Sequence, residues 1–183
     1  MSELYSHIAV LVSIVIALGM AELVTAWGDL LRNRQVVTFY WTHAFWTVFI
    51  LVMMIQFWWG FWNFNSNESW TIISLTTLVF QNLLVVLTAQ MLAPKIAAGQ
   101  PANMKEFFYS NSKLFFLLAA MMLVCLTLND IFLLNLPLWH SENLVRAIGT
   151  TLCLISAFSQ NERIHIVMAM TATVLFAIFL AFG

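Results

Sequence analysis

An all-α fold, a polytopic membrane bundle of six transmembrane helices with both termini outside, is what this sequence predicts, and three observations predict it. Of 183 residues, 62% are hydrophobic and 8% charged, against roughly 45–50% apolar and about 25% charged in an ordinary soluble domain. No soluble core hides that much apolar surface. Apolar stretches of about 20 residues, each enough to cross a bilayer, recur at 7–27, 40–63, 70–93, 113–134, 143–160 and 164–182. Between them Arg32, Arg34, Lys95, Lys105, Lys113 and Arg163 fall on one side and only Arg146 on the other. Six cations against one place that side in the cytoplasm. The chain 1–183 is a single domain, with no length left for a soluble catalytic one.

The first span carries Glu3 and no Lys or Arg ahead of it and is followed by no small-residue cleavage pattern, so it reads as retained rather than as a signal peptide. It meets a short hydrophilic connection from Gly28 to Arg34. The second span, 40–63, has no ionised side chain and carries Trp41, Trp46, Trp58, Trp59 and Trp62, most of them near its two ends, where amphipathic rings favour the interface. Asn67-Glu68-Ser69, in the polar turn that follows, matches a glycosylation sequon. Pro94 stops the third span. In the longest connection, Asn103 and Glu106 have the spacing of an N-cap pair, predicting a helix that starts at the inner surface and runs into the fourth span. Pro137 breaks the next connection, and only Asn161, Glu162 and Arg163 separate the last two spans, a tight hairpin.

Polar residues inside such spans are costly and mark either function or a structural lock. Glu22, His43, His165 and Gln160 are expected to share one layer near the inner face. A desolvated Glu beside a His can hold a shareable proton, and Glu with two His has the composition of a cation site. The structural alternative is a Glu22–His43 hydrogen bond that locks two spans together. A second layer near the outer face holds Asp130 and Arg146, spaced to form an ion pair, with Gln56 and Asn129 within reach. Ser74, Thr77, Gln81 and Thr88 lie on one stripe of the third span, which reads as an interhelical face or a hydrophilic pathway; Gly149, Cys153 and Ala157 make a small-residue face on the fifth.

A net charge of −1 with scattered Lys and Arg gives no nucleic-acid surface. Cys125 and Cys153 lie inside apolar segments, as packing residues rather than a disulfide. There is no phosphate loop, Cys-x-x-Cys, His-x-x-x-His or nucleophile elbow, so no enzyme motif is visible; no cofactor is strongly implied, and an enzyme using a bound haem or quinone ranks third among the readings. The prolines lie in connections, so broken helices of the transporter type are not signalled.

The order Arg32-Asn33-Arg34, Tyr40-Trp41-Thr42-His43, Phe57-Trp58-Trp59, Phe108-Tyr109 and Asn161-Glu162-Arg163-Ile164-His165 resembles an uncharacterised family of bacterial six-span inner-membrane proteins. The resemblance implies a multi-pass protein of the inner (plasma) membrane and carries no activity. Two functions are therefore expected: proton or small-solute transport or sensing through the Glu/His layer, or a non-transporting scaffold or sensor subunit. Its partners would be the bilayer and either further copies of itself or another membrane protein.

Overall fold

The computed structural model describes residues 3–64, 71–97, 99–132 and 136–182. Six α-helices follow one another: α1 (Glu3–Arg32), α2 (Trp41–Gly60, continued by a 3-10 turn over Phe61–Phe64), α3 (Ile72–Gln90), α4 (Met104–Phe132), α5 (Ser141–Ala157) and α6 (Glu162–Phe182). Among the described residues, α1 to α4 are long and apolar enough to cross a membrane. The sequon Asn67-Glu68-Ser69 lies outside the described residues.

Two helices run further than their apolar stretches. α1 continues through Gly28 and Asp29 to Arg32, where the sequence placed a connection. Polar side chains bond back along the helix there: Arg32 reaches the Asp29 carboxylate at 2.6 Å, and the Asn33 amide donates to the Asp29 carbonyl at 2.9 Å. α4 begins at Met104, nine residues before its apolar stretch, because the Asn103 side chain accepts from the Lys105 amide at 3.0 Å and donates to Glu106 at 3.1 Å. Its 29 residues measure about 44 Å at 1.5 Å each, well beyond a hydrocarbon core of about 30 Å. α4 is thus longer than a single crossing needs.

α1 packs on α3, α3 on α4, α4 on α5, α5 on α6, α6 on α2 and α2 back on α1, so the helices close a ring. The pattern that drives this is plain in α1, where Tyr5, Ile8, Val12, Ile16, Leu23 and Ala26 are buried at helical spacing. Val10, Ile14, Leu18 and Val24, on the other side, are exposed as a lipid-facing surface would be. A Cβ on Gly19 would sit 2.6 Å from Met54 Cε and 3.2 Å from Val86 Cγ2, so the missing side chain eases the close approach of α1 to α2 and α3.

At one end, rich in Lys and Arg and called here the basic end, the α1–α2 and α3–α4 connections are clipped together. Strands β1 (Val37–Thr38) and β2 (Ala102–Asn103) pair in parallel, and the Gly99 amide donates to the Asn33 side chain at 3.0 Å. Gly99 has φ +75°, a conformation that suits glycine. Inward from this clip lies a block of aromatic rings. Trp46 meets Phe115 and Phe116 edge-on at 5.5 and 5.3 Å, and Phe116 stacks on His165 at 5.4 Å.

Candidate functional site

Above the aromatic block the helices line a partly open hollow of about 570 Å³ to which all six contribute, within the 300–1,000 Å³ usual for ligand sites. Its floor is Trp46, Phe49, Phe115 and Phe116, and its walls are mostly apolar. Polar groups collect at the opposite end: Gln56, Gln81, Asn129, Asp130, Glu142 and Arg146. Asn129 lies thirteen residues beyond Phe116 on α4, which separates head from floor by about 20 Å.

Arg146, one turn into α5, organises this polar end. Its Nη1 donates to the Asp130 carboxylate and, at 3.0 Å, to Asn143 Oδ1, while Nη2 donates to Glu142 at 2.7 Å. The side chains of Arg146 and Asp130 are only 14% and 9% exposed. One cation thus faces two carboxylates, a local net charge of −1. Beside them Asn129 Nδ2 donates to Gln81 Oε1 across the α3–α4 interface, and the buried Asn129 Oδ1 has no partner among the described residues. Nor, among them, has the buried indole Nε1 of Trp46 at the floor.

The layer expected near the basic end is built differently. His43 Nε2 donates to the Leu92 carbonyl at 2.8 Å, a bond that fixes the proton on that nitrogen because a carbonyl only accepts. His165 Nε2 donates to the Ser159 carbonyl at 3.0 Å, and its ring is enclosed by Phe108, Tyr109 and Phe116. Glu22 is half-buried at the flank of the packed stripe of α1 and forms no hydrogen bond or ion pair with any described residue. Gln160 is exposed in the α5–α6 turn. No hydrogen bond, ion pair or ring contact joins any two of these four, and no group of three or more His, Cys, Asp or Glu is placed to hold a metal among the described residues.

The stripe on α3 divides in the same way. Ser74 forms a capping box with Thr71, and the hydroxyls of Thr77 and Thr88 donate to the carbonyls of Ile73 and Leu84 within their own helix. Only Gln81 reaches across to another helix and into the cavity. On α5, Cys153 and Ala157 are buried and a Cβ on Gly149 would lie 3.1 Å from Leu123, so the small residues admit close packing against α4.

Outside the spans at the basic end, Lys105 bonds Glu162 at 2.8 Å and lies over the Tyr40 ring, while the Tyr40 and Tyr109 hydroxyls meet at 3.3 Å. The hydrogen bond between Lys105 and Glu162 holds the ammonium above and the carboxyl below its ordinary pKa. Burial first, and then the bond to Tyr40, push the Tyr109 hydroxyl up.

Sequence reasoning missed Glu142 and the reach of Gln81 into the polar end. For Glu142 a signal exists in its i,i+4 spacing to Arg146. Gln81 carried none, because it lies in the middle of α3 while its partner lies in the last turn of α4. No protein-family model matches this chain, and no curated protein or solved structure matches it either.

Proposed function

We propose that this chain is a six-span protein of the bacterial inner membrane, both termini outside, that binds a small solute inside the bilayer to sense or pass it. One observation carries the reading: a hollow of ligand size among long apolar helices, with a buried charged cluster at one end and, beside it, an amide oxygen without a partner among the described residues. Such convergence of a few polar groups in an otherwise apolar hollow is the usual build of a ligand site. The concentration of Lys and Arg at the basic end supports a cytoplasmic position for that end, and the polar head of the cavity then lies toward the outer face.

Sensing fits the geometry better than passage, because the aromatic floor closes the hollow toward the basic end. Glu22 and His43 carry less of this reading than the polar end does, since His43 commits its donor to Leu92 and Glu22 stands apart from it. Native mass spectrometry of the gently extracted protein tests the proposal. A stoichiometric small-molecule adduct is expected on the unaltered chain and not on Ala172→Phe, which pushes a ring into the cavity. Identical, adduct-free spectra for both would sink it. An epitope tag at the C-terminus that is accessible from the cytoplasm would refute the orientation.

A further inference from the structure

We infer that the cavity takes a single-chain amphiphile with a cationic ammonium head, an inference that rests on the solute-binding reading above and names its ligand class. Shape sets the tail. A volume of about 570 Å³ drawn out between Asn129 and Phe116, over about 20 Å of helix, is a slot rather than a chamber. Its depth exceeds the roughly 15 Å that one leaflet contributes to a hydrocarbon core of about 30 Å. The middle of the slot, at Ile50, Met53, Leu123 and Leu152, is apolar and suits a chain. The rings of Trp46 and Phe116 stop its far end.

Charge sets the head. Arg146, the one cation lining the cavity among the described residues, already donates to Asp130, Glu142 and Asn143. An anionic head would therefore meet two carboxylates and a guanidinium already spent on them. An ammonium head meets the reverse: a formal local charge of −1 and the carboxylate oxygens that Arg146 leaves free, beside the Asn129 side chain that also lines the cavity. Asn129 is 2% exposed, and its buried oxygen has no partner among the described residues. Leaving such an acceptor unpaired is costly.

The test uses the full chain in phosphatidylcholine nanodiscs, offered hexadecylammonium, hexadecyl sulfate or hexadecyl maltoside at equal concentration, with bound copies counted by native mass spectrometry. The ammonium is expected to bind about tenfold more tightly than the sulfate, a ratio well within what complementary charge supplies. Ala172→Phe is expected to abolish the bound copy, and Glu142→Gln to lower the ammonium preference several-fold while leaving the maltoside unchanged. Equal binding of all three heads, lost in Ala172→Phe, would overturn the ammonium head and leave cavity binding standing. Binding of all three that Ala172→Phe does not alter would overturn both. Should Ala172→Phe fail to fold, Leu123→Trp fills the same slot from α4. The comparison of heads needs only the unaltered chain.

Discussion

Two buried polar layers lie at opposite ends of the same bundle, and they solve the same problem in opposite ways. Near the basic end, His43 and His165 each donate to a backbone carbonyl where a helix stops, at Leu92 and Ser159, and aromatic rings close around them. At the other end Arg146, Asp130, Glu142, Asn129 and Gln81 bond to one another around a hollow. The histidines fasten helix ends into a block of aromatic rings, whereas the charged cluster lines a hollow. A polar residue in a membrane helix is thus assigned less by its depth than by what accepts its hydrogen bond.

The largest effect should come from breaking the charged layer. Arg146→Met would leave Asp130 and Glu142 without their cation, and removal of one partner from a buried pair costs about 3–5 kcal/mol. A steep loss of thermal stability in detergent is expected, with Arg146→Lys in between because it keeps the charge and loses the fork. An unaltered melting temperature for Arg146→Met would mean that water, not the arginine, satisfies those carboxylates.

Next in size is the floor that divides the layers. Phe116 is fully buried against Trp46, Phe108, Phe115 and His165, and truncating such a ring to alanine costs about 3 kcal/mol. Phe116→Ala should also open a route between the two ends, so a proton leak through liposomes that the unaltered chain does not show is expected. Stability lost with no leak would leave the floor as packing alone.

Smaller still is the loss of one histidine bond. His43→Phe keeps a ring beside Phe107 and abandons the Leu92 carbonyl, at a cost of about 1–3 kcal/mol for a buried acceptor left unpaired. Glu22→Gln, by contrast, removes no bond to any described residue and should shift stability by less than about 0.5 kcal/mol. If Glu22→Gln proved the more damaging of the two, the histidine layer would contain a site after all.

Much of this contrast could be read in the sequence, and the unread part has physical causes. Hydropathy and the six cations locate the apolar stretches, the Asn103–Glu106 spacing finds the early start of α4, and the short connection after α4 points to Asp130 and Arg146 as partners. Glu22 and His43, by the same reasoning from depth alone, look like a pair. They are not bonded, because depth says nothing of rotation: Glu22 sits at the flank of its stripe, and His43 faces the end of α3. Backbone carbonyls that become free where a helix stops leave no mark in composition, and neither does the ring order of the helices that makes the cavity. The clip between β1 and β2, two residues each, is too short for any periodicity to betray it.

The smallest effect should come from the exposed bond that ties α4 to α6 beside the histidine layer. Glu162 has its pKa lowered on folding and Lys105 has its raised, each through the other. The lowered carboxyl contributes stability above its unfolded value of about 4.3, which is lost as pH falls through the folded value; the raised ammonium contributes below about 10.4, lost as pH climbs through its own folded value. The bond therefore acts across the whole neutral range. Both side chains are about half exposed, at 50% and 42%, so water and salt screen it. Glu162→Gln should leave the melting temperature unchanged at neutral pH and in high salt, and solute binding with it. A clear loss would show that the basic end is held by its surface charge rather than by the rings and carbonyls behind it, and the contrast between the two layers would narrow.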